Sequence, residues 1–156
     1  MAPVPGAVNL LDRLRGAFSP GVILEASAFV CEDPYKTQRA LEGIVPTLLL
    51  ALIHRFPGSS LLGLLLNRQA PTEAAAILGP ASAEMTEWIA SEAGIQRESA
   101  ASLLSLAAPK IVDALRLMQS ERNMGAAALE TVLNAHRPRV GRLLPESLAE
   151  RLKSWL

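Results

Sequence analysis

The side chains that most often carry out catalysis are few in this sequence and stand far apart. The single cysteine, Cys31, ends the apolar run ASAFVC, and the two histidines, His54 and His136, lie in the segments HRFPG and NAHRP. Neither histidine has a second one at a spacing that helical metal ligands use, such as HxxxH. We therefore expect no metal site, and we expect Cys31 to be a buried structural thiol rather than a nucleophile.

The carboxylates and the small polar motifs do not form an active site either. Glu42 and Asp113 each lie close to a proline and off the apolar stripe of the helix, so a solvated helix face is predicted for both. His136 is expected near a helix C-terminus, where the helix dipole would favour it. SSLLG is a helix start rather than a nucleophile elbow, and the glycines are too scattered for a phosphate loop. The sequence predicts a protein that is not an enzyme, with no catalytic residue, no cofactor and no small-molecule substrate.

The composition is that of a helical protein without an excess of charge. Leucine and alanine account for 52 of the 156 residues, whereas aromatic residues make up only 4%. Both are strong helix formers. Fifteen basic residues balance fifteen acidic ones, which disfavours binding to nucleic acid or to anionic lipid. A lone cysteine cannot form an internal disulfide, so we expect a reducing, cytoplasmic location.

No targeting or membrane-spanning segment is predicted. The first residues, MAPVPGAVNLLDRLRG, lack the basic stretch and long apolar run of a signal peptide. The longest nearly unbroken apolar run, Ile44 to Ile53, is about half the length that a spanning helix needs. The turn-forming segment HRFPGSS then follows it.

Helix start signals recur along the chain and predict an all-α fold. Asn9 is a candidate N-cap, as are Ser19 before Pro20 and Asp33 before Pro34. Apolar stripes with helical periodicity run past Pro46 and Pro109, which predicts a long kinked helix around each proline, although a break at Gly43 would also fit. NMGAAALETVLNAH is expected to be a helix followed by the proline- and arginine-rich junction RPRVGRLLP. The total is a compact array of about eight or nine short-to-medium helices.

A weak internal repeat organises these helices. A shift of 63 residues places Pro46 on Pro109, Leu41 on Leu104 and Leu52 on Leu115. The pseudo-repeats cover about residues 20–67 and 83–135. We expect residues 1–8 to be a disordered lead, residues 9–156 to form one domain, and residues 145–156 to form its last helix.

The ordered set of segments is similar to a known bacterial family. NLLDRLRGAFSP, DPYKTQRALEGIVPTLLLALI, GSSLLGLLL, ASLLSLAAPKIVDAL and LLPESLAERL together resemble the YidB-like family of bacterial proteins of unknown function, DUF937. The resemblance implies a compact all-α array with a homeodomain-like local arrangement. It implies no enzymatic activity and brings no catalytic residues.

Self-association or binding of a protein partner is the function that the sequence favours. Half of the residues are hydrophobic, and spare apolar surface in a small protein usually marks an interface. The candidate interface is an apolar stripe near the C-terminus, formed by Leu144, Leu148, Leu152, Trp155 and Leu156. The alternative is that this stripe packs against the protein's own core.

Nucleic-acid binding is the alternative function. It rests on the homeodomain-like resemblance and on a basic concentration near the C-terminus, which carries a net charge of +3 over the last twenty residues. Its members are Arg137, Arg139, Arg142, Arg151 and Lys153.

Overall fold

Helices account for all the regular structure in the part of the chain that is described. The computed structural model describes residues 14, 16–56, 58–67, 69 and 73–153. Its helices are α1 (Pro20–Val30), α2 (Pro34–Arg55), α3 (Gly58–Leu66), α4 (Ala74–Leu78), α5 (Ser82–Ala93), α6 (Arg97–Arg122), α7 (Ala126–Leu143) and α8 (Glu146–Arg151), with a short 3-10 helix at Gly79–Ala81. The all-α prediction is confirmed. The count of eight or nine stays a prediction, because the helix expected from Asn9 falls mostly outside the described residues.

Local caps explain where α1 and α2 begin. The Ser19 side chain accepts a hydrogen bond from the Val22 backbone N–H at 3.4 Å. Asp33 Oδ2 accepts from the backbone N–H groups of Tyr35 and Lys36 at 3.0 and 3.2 Å. Each cap is followed by a proline, whose missing N–H has no helical partner to lose at that position. Both predicted starts are confirmed.

Prolines lie inside three helices without ending them. α2 continues through Pro46 and α6 through Pro109, so the alternative break at Gly43 does not occur. The predicted junction RPRVGRLLP was wrong, because α7 continues through Pro138 to Leu143. The buried positions of α7 keep helical spacing on both sides of that proline; they are Leu129, Leu133, His136 and Val140. Burial of that stripe outweighs the cost of the proline.

The central element is α2. It packs against α1, α4, α5, α6 and α7. Twelve of its 22 residues are buried. A helix with one apolar stripe buries fewer, so α2 is enclosed on several sides rather than covered on one. The buried cluster around it extends along the chain from Leu14 to Leu152.

No single helix among the described residues is both long and apolar enough to cross a membrane. Two consecutive helical segments, α2 and Ser59–Leu66, would together be long and apolar enough to do so. They are bent by 119° relative to each other. Most of the α2 residues that contribute to this apolar character are buried in the core.

Helix boundaries recur at the spacing of the predicted repeat. Residues 34 and 97 begin α2 and α6, which places the two starts 63 residues apart. Cys31 and Gly94, also 63 residues apart, are the C-caps of α1 and α5, and both have left-handed backbones with φ of 56° and 72°. The repeat and the domain boundaries nevertheless stay predictions, since shared boundaries alone do not establish a duplication.

Candidate functional site

The single cysteine and the two histidines belong to three different helices: Cys31 ends α1, His54 lies in α2 and His136 lies in α7. Cys31 is exposed, so the prediction of a buried thiol was wrong. Its left-handed backbone ends α1 and leaves the side chain on the surface, where Sγ lies 3.7 Å from the Ala28 carbonyl oxygen. Among the described residues no three or more His, Cys, Asp or Glu side chains are grouped as metal ligands would be.

The predicted position of His136 at a helix C-terminus was also wrong. Because α7 continues to Leu143, His136 lies inside the helix and is buried. Its Nδ1 is 2.7 Å from the Val132 carbonyl oxygen. The ring therefore packs in the core and bonds to its own helix. His54 is exposed, in the last turn of α2.

Glu42 and Asp113 lie on solvated helix faces, as predicted. Glu42 accepts a hydrogen bond from Gln38 at 3.2 Å, and Asp113 pairs with Arg116 at 3.4 Å. The Arg116 guanidinium also donates to the carbonyl oxygens of Leu65 and Asn67, at 3.0 and 3.1 Å. It therefore caps the end of α3, and a structural role accounts for this cluster.

The described part of the C-terminal stripe lies against the protein's own core. Leu144, Leu148 and Leu152 are all buried, while Trp155 and Leu156 fall outside the described residues. A Cβ atom added to Gly43 would lie only 2.9 Å from Leu148 Cδ1, so the absence of a side chain at Gly43 lets α8 approach α2. An interface role for this stripe stays a prediction, and the three leucines already complete the core here.

Polar contacts hold α8 in this position. Glu92 of α5 accepts a hydrogen bond from Ser147, and it pairs with Arg39 of α2 at 3.3 Å. The Arg151 guanidinium lies 4.7 Å from the centroid of the Trp88 ring, a cation–π distance. Arg39 and Arg151 thus already have partners within the fold.

An apolar surface is left open on α1. Only Ala26 and Ser27 of its eleven residues are buried, and Phe29 is 73% exposed. A groove of about 470 Å³ lies beside it, which we call the α1–α6 groove; its lining is Phe29, Ala101, Ser102, Ser105 and Leu106. None of these side chains is charged. The sequence analysis did not predict this site, although the sequence contains a signal for it. Apolar residues lie on all sides of α1, and one neighbouring helix cannot cover all of them.

Two polar contacts fix the end of α1 against the start of α6. Glu32 Oε2 accepts a hydrogen bond from the Gln96 backbone N–H at 2.9 Å, and Ser99 Oγ donates to the Val30 carbonyl oxygen at 3.4 Å. The hydrogen bond from the Gln96 backbone N–H, together with the nearby Ser99 side chain, holds the pKa of Glu32 below its ordinary value. The walls of the α1–α6 groove are therefore held together beside Phe29.

Two further grooves meet at the end of α7. The apolar groove, of about 570 Å³, lies between the segment before α1, α1, α2 and the end of α7; its apolar lining includes Leu14, Phe18, Ile23, Leu41, Val45 and Leu143. The arginine groove, of about 580 Å³, runs along α7 and is lined by Asn134, Arg137, Pro138, Gly141 and Arg142. Arg142 also lines the apolar groove, so one side chain borders both.

Comparison with known proteins gives one match. Residues 74–117 match the family model described as a bacterial protein of unknown function, DUF937. This segment runs from α4 through α5 into α6. No curated protein and no solved structure matches the chain. The match confirms the resemblance predicted from the sequence over residues 74–117, which are similar to the bacterial family of unknown function DUF937.

Proposed function

We propose that this protein is a non-catalytic helical module that associates with a second copy of itself through α1 and the α1–α6 groove. The observation that carries the proposal is the exposure of Phe29, at 73%, beside an uncharged groove on the same surface. Exposed aromatic rings of this kind are costly in water, and aromatic residues are enriched at interfaces.

The arrangement suits a two-fold contact. In such a contact the same surface of each copy faces the other, so a projecting side chain and the groove that receives it must lie side by side on one chain. Phe29 projects next to small groove residues, Ala101, Ser102 and Ser105. Each copy would place its Phe29 in the groove of the other.

Phe29 alone would not bury enough area for a stable dimer. A standard interface buries roughly 1,200–2,000 Å² in total, whereas one aromatic side chain contributes about 150–250 Å². The contact would therefore extend along the exposed face of α1, which includes Leu24 at 57% exposure. Glu25 is the single charged residue between Pro20 and Val30, so little charge would need desolvation.

Mass in solution tests the proposal. We expect light scattering during size exclusion to give a mass that rises with concentration toward twice that of one chain. Phe29→Glu should shift the protein to single chains with its melting temperature nearly unchanged, because Phe29 is exposed. Leu66→Glu is the matched control, since Leu66 is 62% exposed on α3 and does not line the groove.

A charge pair tests the position of the contact. Phe29→Glu and Ser105→Lys should each prevent self-association, whereas a mixture of the two variants should form a mixed dimer, since Glu at position 29 of one chain would face Lys at position 105 of the other. A wild-type mass that stays at one chain at every concentration would overturn the proposal. Equal loss of association in the Leu66 control would place the contact elsewhere.

A further inference from the structure

The apolar groove and the arginine groove meet at consecutive residues of α7. Gly141 lines the arginine groove, Leu143 lines the apolar groove, and Arg142 between them lines both. Successive residues of a helix point about 100° apart, so the end of α7 forms a ridge with one groove on each side. A ligand that crosses this ridge at Arg142 would touch an apolar surface and a basic one.

The arginine groove has groups suited to an anion. Arg137 and Arg142 supply fixed positive charges and Asn134 supplies an amide. Solvent does not reach the Arg137 Nε, which has no hydrogen-bond partner among the described residues. An anion in the groove would therefore be bound by the terminal nitrogens of the guanidinium groups. Guanidinium groups bind phosphate and carboxylate oxygens through two parallel N–H donors.

The apolar groove has a surface suited to a hydrocarbon chain. Leu143 is 49% exposed at its edge, and Phe18, Ile23 and Val45 are only partly buried. Its volume of about 570 Å³ is within the range of small-molecule sites. The carboxylate at its rim, Glu42, accepts a hydrogen bond from Gln38 at 3.2 Å. An anionic head would therefore lie on the Arg142 side, away from Glu42.

We propose that the two grooves form one binding site for a single-chain anionic amphiphile. The hydrocarbon chain lies in the apolar groove, and the phosphate or carboxylate head is bound by Arg142 and Arg137. The occupant is a single molecule in solution rather than a membrane surface. This site is separate from the α1–α6 groove, so it does not depend on self-association.

Calorimetric titration with dodecyl phosphate, kept below its micelle-forming concentration, tests the proposal. We expect one molecule to bind per chain. Dodecyl maltoside, which has the same chain and a neutral head, and inorganic phosphate, which has no chain, should each bind at least about tenfold more weakly. Shortening the chain should weaken binding about three- to fourfold per methylene group removed, as expected when each is buried.

Variants of α7 locate the site. Arg142→Gln should weaken dodecyl phosphate binding about tenfold, because one charged hydrogen-bond donor is lost. Arg139→Gln is the matched control, since Arg139 is exposed on the same helix but lines neither groove. It should change the affinity less than twofold or so, by the usual size of surface charge effects.

Several results would overturn the proposal. Equal weakening by Arg139→Gln would indicate diffuse attraction, and equal binding of the neutral amphiphile would indicate that no anion is recognised. Binding to anionic vesicles or to duplex DNA without binding of monomeric dodecyl phosphate would assign the arginines to a surface or a nucleic acid. Binding that appears only after residues 1–13 are removed would make that segment the occupant of the apolar groove.

Discussion

The long helices α2 and α6 are built alike but are used differently. In each, a proline stands 12 residues after the first residue of the helix, Pro46 after Pro34 and Pro109 after Arg97. Yet α2 is enclosed by its neighbours, whereas α6 leaves one side open at the α1–α6 groove. The position that shows this best is Gly43, whose counterpart 63 residues later is Leu106. Gly43 contacts Leu148 of α8, while Leu106 lines the open groove.

This difference shows that the packing of neighbouring helices, rather than the internal structure of a helix, decides which of its faces stays exposed for binding. α8 covers α2 at Gly43 because glycine leaves room for it. No described helix covers α6 at Ser102 and Ser105. A helix with the same proline and the same start can therefore serve as the centre of a core or as the wall of a binding surface.

Removing the Leu148 side chain, which packs on α2 at Gly43, should have the largest effect on stability. Leu148→Ala should destabilise the fold by about 3 kcal/mol, because Leu148 is fully buried and its loss leaves a cavity beside Gly43. Leu143→Ala, at a half-exposed neighbour, should change the free energy of unfolding by roughly 0.5 kcal/mol or less. Urea denaturation measures both.

The double variant Gly43→Ala with Leu148→Ala sharpens this test. Alanine favours the helix over glycine by about 1 kcal/mol, and its methyl group enters the space that Leu148 leaves. The double variant should therefore be about 1 kcal/mol more stable than Leu148→Ala alone. If Gly43→Ala stabilises wild type by the same amount, the close contact between α2 and α8 does not constrain residue 43.

The sequence predicted contacts between residues that are close together in the chain, but not contacts between residues that are far apart in it. The caps at Ser19 and Asp33 act on residues two or three positions away, so the local pattern was enough. Glu32 accepts a hydrogen bond from the backbone N–H of Gln96, the residue before α6 and 64 positions further along the chain, and only the fold brings the two together. The approach of Leu148 to Gly43 is non-local in the same way. The end of α7 was predicted too early because a proline inside a helix usually ends it, and Pro138 does not.

The two helix prolines should respond differently to alanine. Both substitutions restore a backbone donor, but Pro46 is buried and Pro109 is only partly buried. Pro46→Ala therefore loses more packed hydrocarbon, so it should be less stable than Pro109→Ala by about 1 kcal/mol. Thermal unfolding of both variants checks this order. Equal shifts would mean that burial of the proline ring contributes nothing to the difference between α2 and α6.

The N-terminal ends of α2 and α6 should respond differently to acid. Glu32→Gln should destabilise the fold by about 1 kcal/mol near neutral pH, since it removes a negative charge that is hydrogen-bonded beside the N-terminus of α6. The pKa of Glu32 is lowered in the folded state, so its contribution is present above its ordinary pKa of 4.5 and is lost as the pH falls through the folded value. The gap between wild type and Glu32→Gln should close on acidification.

Asp33→Asn is the control for that comparison, because asparagine is also a good N-cap and the local cap of α2 should survive. We expect a change of roughly 0.5 kcal/mol or less. If the gap between wild type and Glu32→Gln stays constant from neutral pH to below pH 4, then the charge of Glu32 does not stabilise α6.

The smallest effects are expected at the two left-handed caps that precede α2 and α6. Cys31 has φ of 56° and Gly94 has φ of 72°, a region that glycine adopts freely and other residues adopt at a cost. Cys31→Gly should therefore stabilise the fold and Gly94→Ala destabilise it, each by about 0.5 kcal/mol. Among the described residues no neighbouring atom lies within 4 Å of a Cβ at Gly94, so crowding should not add to that loss. Paired urea midpoints measure the two variants against wild type. A loss of stability in Cys31→Gly would mean that the contact of the thiol with the Ala28 carbonyl outweighs the backbone strain, and the two caps would then not be equivalent.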